Sequence, residues 1–167
     1  SQGRVWIGTR DGLSYYDEEK DQFKNFFYEK KGKRQQVNGI AEISPEQLLV
    51  STQEGLIMFD SQESKFVEDA FSTAMHKIIA SALYRHGDII YIGTMEDGLY
   101  SYSVTQKNLE KVTPILDTKR IQAILQQSPT RIWIATEGAG LLLLNPKTKE
   151  LKTYLHSSSD PKSISSN

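Results

Sequence analysis

Short apolar runs alternate with polar, turn-rich stretches along the whole chain, and the runs keep one register. Four of them end in threonine: Val5-Trp6-Ile7-Gly8-Thr9, Leu49-Val50-Ser51-Thr52, Ile90-Tyr91-Ile92-Gly93-Thr94 and Ile132-Trp133-Ile134-Ala135-Thr136. A Gly-Leu pair follows each, at Gly12-Leu13, Gly55-Leu56, Gly98-Leu99 and Gly140-Leu141. Next comes a small polar residue (Asp17, Asp60, Ser103, Asn145), and further on an apolar one (Phe23, Phe66, Leu109, Leu151). Equivalent markers recur at about 42 residues, the period of a repeat architecture.

The pattern predicts β-structure. The runs are short, rich in β-branched and aromatic residues, and bounded by turn formers. Their unbroken apolar character suggests strands buried on both faces. The glycine before each leucine suits a turn that needs positive φ. Asp17, Asp60, Ser103 and Asn145 fit the first position of a turn, where a short polar side chain bonds the backbone two residues on. A further strand precedes three of the runs: Val37 to Ile43, Lys77 to Leu83 and Arg120 to Leu125. A unit is then four antiparallel strands, the blade of a β-propeller. A helical repeat is excluded because no long 3.6-residue pattern appears and turn formers recur too densely.

The expected fold class is therefore all-β, a β-propeller of about four blades, the first lacking its innermost strand. The blade units run approximately over 1-29, 35-72, 76-114 and 119-156, with 157-167 a linker toward the next blade. Both ends fall inside the repeating array, so the expectation is a fragment of a larger propeller of about seven blades. Its open strand edges should pair with the remaining blades or with a second copy.

Composition narrows the partners. With 167 residues, 38% hydrophobic and 25% charged, the chain has the make-up of a folded domain. Twenty basic and 21 acidic side chains give a net charge of −1, which argues against nucleic acid as the main partner. There is no cysteine, so thiolate chemistry and Cys-based metal sites are excluded. No apolar run approaches the roughly 20 residues of a membrane helix, so no membrane contact is expected here. Nor does a charged-then-apolar leader open the chain; any signal peptide is expected outside these residues. Nothing calls for a cofactor.

The repeat resembles the two-component regulator propeller repeat. The resemblance rests on Val5-Trp6-Ile7-Gly8-Thr9-Arg10-Asp11-Gly12-Leu13 with Tyr16-Asp17 and Phe23, and on Ile132 to Leu141 with Asn145-Pro146. The tail from Asp160 to Asn167 resembles the linker into that family's next blade. Ser51 departs from the family's glycine and Ser103 from its aspartate, both at turn or packing positions. The resemblance implies the periplasmic sensor region of a Bacteroides-type hybrid two-component histidine kinase, which recognises oligosaccharide from glycan breakdown and controls glycan-utilisation genes. It implies no catalysis in this segment, a kinase elsewhere in the intact protein, and a receptor homodimer. The family's motif residues shape blades, so no binding residues are carried over.

Candidate binding residues come from propeller geometry instead. Loops joining second to third strands gather on one face with the loops between blades. Here they are Arg10-Asp11, Gln53-Glu54, Met95-Glu96-Asp97 and Glu137. Of these, Arg10, Asp11, Gln53, Glu54, Glu96, Asp97 and Glu137 are polar, vary between blades and can bond sugar hydroxyls; solvated turns are the alternative. Trp6, Tyr91 and Trp133 share a register that suits packing between blades. Tyr15, Tyr16, Tyr100 and Tyr102 fit core or rim positions. His76, His86 and His156 share neither register nor metal spacing. Asp17 to Asp21 lacks calcium-loop spacing and reads as a hairpin tip. Lys30-Lys31-Gly32-Lys33-Arg34 reads as a solvated loop, with an anionic-sugar contact as the alternative. A propeller lyase or glycosidase, or a protein-interaction propeller, are the rival functions; an enzyme would need a convergent acid/base pair.

Overall fold

The computed structural model describes residues 4–68, 75, 77–113 and 120–167. His76 lies outside them. Among the described residues seventeen strands form five antiparallel sheets, and the chain divides into two compact units, Ser1–Ala80 and Ser81–Asn167. Among the described residues no helix is long and apolar enough to cross a membrane.

The first unit opens with a three-stranded meander, β1 (Val5–Thr9), β2 (Gly12–Asp17) and β3 (Gln22–Phe26). A four-stranded meander follows, β6 (Val37–Ser44), β7 (Gln47–Thr52), β8 (Gly55–Asp60) and β9 (Lys65–Val67). Between them β4 (Glu29–Lys30) and β5 (Lys33–Arg34) pair as a small hairpin. The basic run is thus a hairpin and not a loop. Lys31 and Gly32 both adopt positive φ, 53° and 71°, the conformation that joins twisted strands through two residues. Arg34 folds back over the Phe27 ring at 3.9 Å.

The second unit holds two four-stranded meanders. One is β10 (Ala80–His86), β11 (Ile89–Thr94), β12 (Leu99–Ser103) and β13 (Asn108–Thr113); the other is β14 (Ile121–Ser128), β15 (Arg131–Thr136), β16 (Leu141–Leu144) and β17 (Leu151–Tyr154). These are propeller blades, with strands in sequence order across each sheet. The strand expected from Lys77 begins instead at Ala80, because the Ile78 amide is taken by the Met75 carbonyl at 2.9 Å in a turn.

Each unit has its own core. In the first, Leu13, Val37, Val50, Ile57 and Phe59 are buried, with Trp6, Phe26 and Phe66 packed against them. In the second, Tyr91, Leu99, Ile121, Ile132 and Ile134 are buried together. Burial on both faces holds for β7 and β11. It fails for β1, where Val5 is 50% and Ile7 38% exposed; among the described residues only β2 is hydrogen-bonded to it. In β15 burial alternates, with Ile132 and Ile134 inside and Trp133 half-buried.

Small residues before the threonines have a steric cause. A Cβ on Gly8 would stand 2.7 Å from Val37 Cγ1, and one on Gly93 would stand 2.5 Å from Ile121 Cγ2. Ser51, at the same register, donates its hydroxyl to the Ala80 carbonyl at 2.8 Å. The outer turns behave as expected at Asp60, whose Oδ1 accepts from the Gln62 and Glu63 amides, and at Asn145, whose Oδ1 accepts from Lys147 and Thr148. At Ser103 the carboxylate comes from elsewhere. Ser103 Oγ accepts from the Gln106 amide and donates to Asp88 Oδ2 at 2.6 Å, while Asp88 Oδ1 accepts from the Thr105 amide.

Candidate functional site

The candidate residues stand on four turns built by one device. In each, the threonine hydroxyl donates to the carbonyl of the following glycine: Thr9 to Gly12 at 3.0 Å, and Thr52 to Gly55, Thr94 to Gly98 and Thr136 to Gly140 at 2.8 Å. The same oxygen accepts a turn amide, from Asp11 at 3.3 Å, Glu54 at 3.2 Å, Asp97 at 2.8 Å and Ala139 at 3.1 Å. A hydroxyl can do both at once, and threonine also suits a strand end. Valine has the shape without the bonds. Gly12 and Gly140 complete the latch with φ of 148° and 78°; a Cβ there would strike the Phe26 and Tyr154 carbonyl oxygens.

Turn length differs between units. Arg10-Asp11 and Gln53-Glu54 are two-residue connections between paired Thr9–Gly12 and Thr52–Gly55. Met95-Glu96-Asp97 and Glu137-Gly138-Ala139 are three-residue connections, closed by Thr94 and Thr136 amides donating to Gly98 and Gly140 at 3.1 and 3.2 Å.

Within each unit the two turns come to the same end. Val37 packs against Gly8, beside Thr9, and is paired with Thr52. One residue therefore stands between the Arg10-Asp11 and Gln53-Glu54 turns. Ile121 does the same in the second unit, packing against Gly93 and paired with Thr136. Interblade segments also reach these turns. Gln53 Nε2 donates to Gln36 at 3.4 Å, and Lys31 Nζ lies 4.0 Å from Glu54. The Glu137 amide donates to the Arg120 carbonyl at 2.9 Å, and their side chains pair at 3.9 Å.

The side chains are not equally placed for recognition. Arg10, Asp11, Gln53, Glu96 and Glu137 are exposed and Glu54 is half-buried. Asp97 is engaged by Lys111 at 2.7 Å and by the Tyr100 hydroxyl. The Lys111 ammonium and that hydroxyl hold its carboxyl below the ordinary range, so it is an acceptor whose orientation is fixed. Elsewhere, Trp6 meets Phe59 of the next blade at 5.3 Å, and Tyr91 is buried in the second core. Trp133 packs on Tyr154 of its own blade at 5.6 Å, with its Nε1 donating to Gln127 at 3.0 Å. His86 ends β10 and is exposed; His156 Nδ1 lies 2.8 Å from the Ile164 carbonyl in the tail. At the first outer turn, burial works against the Asp17 carboxylate, but Lys20 and Lys24 outweigh it and lower its pKa. Among the described residues no group of three or more His, Asp or Glu side chains is placed to hold a metal.

Sequence reading located these turns but missed the latch. The signal was present in the threonine that ends every apolar run.

The chain matches no protein-family model and no curated protein. Solved structures do resemble it. The extracellular domain of BT4673 from B. thetaiotaomicron, described as a hybrid two-component system, matches with a TM-score of 0.80 at 19% identity, over 100% of this chain and 23% of its own. That of BT3049, described likewise and from the same organism, matches with a TM-score of 0.67 at 25% identity, over 92% of this chain and 22% of its own. PorZ, a surface component of the type-IX secretion system of Porphyromonas gingivalis, matches at 0.64 and 15% identity, over 93% of this chain and 26% of its own. This chain spans about a quarter of each. It has the fold of a propeller segment from the extracellular domains of hybrid two-component systems.

Proposed function

We propose that this chain is part of the periplasmic sensor region of a hybrid two-component sensor histidine kinase/response regulator. In this reading it helps recognise an oligosaccharide from glycan breakdown, and the receptor controls glycan-utilisation genes. The observation that carries the reading is the likeness to the BT4673 extracellular domain over the whole chain. Phosphoryl transfer would belong to other parts of the receptor, and this segment would contribute recognition or dimer contacts.

The turn chemistry supports a polyhydroxyl ligand. Arg10 donates, Asp11, Glu54, Glu96 and Glu137 accept, and Gln53 does both. Latched backbones hold these groups with little ordering cost on binding, which favours affinity. Carboxylates and amides pair readily with adjacent sugar hydroxyls, and their differences between blades would set which sugar is read.

The test is thermal unfolding of the complete extracellular region against a panel of oligosaccharides. A ligand bound only by the folded state stabilises by about 2.7 kcal/mol at a hundredfold excess over Kd. The expected result is a shift with one glycan class, lost on Arg10→Ala, Gln53→Ala or Glu96→Ala. A folded region with no shift across the panel overturns the oligosaccharide reading. A shift that all three substitutions leave intact overturns the assignment to the turns.

A further inference from the structure

The first strands of the second and fourth blades each carry a one-residue β-bulge beside the threonine turns. In β6, Val37 pairs with Thr52 and Gly39 with Ser51, so Asn38 is the extra residue. In β14, Ile121 pairs with Thr136 and Ala123 with Ala135, so Gln122 is the extra residue. A bulge takes its extra residue out of the ladder, bends the strand and re-aims a side chain. The third blade has no room for one. Its Ala80 is met by the preceding blade as Val37 and Ile121 are, yet stands one residue closer to its threonine, Thr94. A blade can therefore be built without the insertion.

Internal packing does not account for the two extra residues. β6 and β14 each shift register again at the far end, and there the re-aimed side chains are used inside the protein. Ile43 is buried, and Gln127 Oε1 accepts from Arg131 Nε and Trp133 Nε1, each at 3.0 Å. Asn38 and Gln122 are exposed, and among the described residues neither side chain has a hydrogen-bond partner.

Both bulges sit in the same surroundings. The residue before the anchor engages the turn: Gln36 accepts from Gln53 Nε2 at 3.4 Å, and Arg120 pairs with Glu137 at 3.9 Å. The anchor itself, Val37 or Ile121, pairs with the threonine of the latch. The residue after the anchor is the bulged carboxamide. Such a group donates and accepts at once, which matches two neighbouring hydroxyls of one sugar ring. The acids of the two turns are already matched by cations, Glu54 by Lys31 at 4.0 Å and Glu137 by Arg120, so these turns favour no charged ligand.

We infer that the bulges present Asn38 and Gln122 as binding residues for a neutral saccharide, each bonding a pair of adjacent ring hydroxyls. Each unit carries one such contact. The inference rests on the oligosaccharide reading and adds to it a contact from each first strand and the ligand's lack of charge.

Calorimetric titration of the complete extracellular region tests it, with cellotetraose, xylotetraose, mannotetraose and maltotetraose as neutral probes and trigalacturonate as the charged one. A neutral probe should bind, and Asn38→Ala and Gln122→Ala should each weaken it about tenfold. Deleting Asn38 gives β6 the spacing of β10. It should weaken binding as much, with the thermal midpoint unchanged or raised because the ladder becomes continuous. If the deletion variant fails to fold, the alanine variants carry the test. Weakening at one position supports its bulge and overturns the other. Unchanged binding by both alanine variants overturns the inference and leaves the oligosaccharide reading intact; a lowered midpoint on deletion would then assign the bulge to the fold. Binding of trigalacturonate alone overturns the neutral assignment and also leaves that reading intact. Binding of no probe overturns the inference, and the reading beneath it falls only if the wider glycan panel gives no thermal shift.

Discussion

A single hydroxyl sets each candidate turn, and its removal has a predictable cost. Thr136 is buried, donates to Gly140 and accepts from Ala139. Thr136→Val keeps the volume but strands the Ala139 amide and leaves the Gly140 carbonyl with the Thr136 amide as its donor, so it should destabilise by about 1–3 kcal/mol in urea unfolding. A change under a few tenths would show that water replaces the latch. Ser103 offers a second test at this scale. Sequence reading saw a departure from aspartate there; in the structure the missing carboxylate is Asp88, bonded to the Ser103 hydroxyl. Ser103→Asp should lower the unfolding midpoint by setting two carboxylates together, and adding Asp88→Ser should restore it. Failure of the double variant to recover would mean that Asp88 has a separate task. Such exchanges are not legible in sequence, because Asp88 and Ser103 meet only once β11 and β12 are paired. Ser51 was legible as a turn or packing position, but its partner, the Ala80 carbonyl, was not.

At the scale of elements the blade strands were largely legible, since apolar runs and turn residues carry a local signal. The β4–β5 hairpin was not. Its charged residues gave no alternation, and its pairing depends on two consecutive positive-φ positions. Just after β3, Tyr28 ties the unit together. It is buried, stacks on Phe66 at 5.3 Å and donates to Glu68 at 3.0 Å. Burial, and then the Glu68 carboxylate, push its phenol up from 10.0 to about 12. The folded value lies above the unfolded one, so this contribution is complete below about pH 10 and is lost as pH rises from there toward 12. Urea midpoints across that interval should fall more steeply for the native chain than for Tyr28→Phe. Parallel slopes would show that the phenol titrates alike in both states.

For the molecule as a whole, the open edge of β1 is the exposed liability. Val5 and Ile7 are exposed on β1, which among the described residues is hydrogen-bonded to β2 alone. Such an edge recruits another strand. The chain should therefore self-associate with rising concentration in sedimentation velocity, and Ile7→Lys should shift it toward monomer. A native chain that stays monomeric throughout would retire that expectation. The propeller was legible at this scale because the period is a whole-chain property. The threonine latch has a wider consequence. It binds main-chain atoms alone and closes over either two or three intervening residues, as the two units show. The residues it spans can drift, codon by codon, without refolding the blade beneath them. Variation can therefore collect in these few letters while the blade stays as it is, and an engineer could graft a randomised library into the same slots.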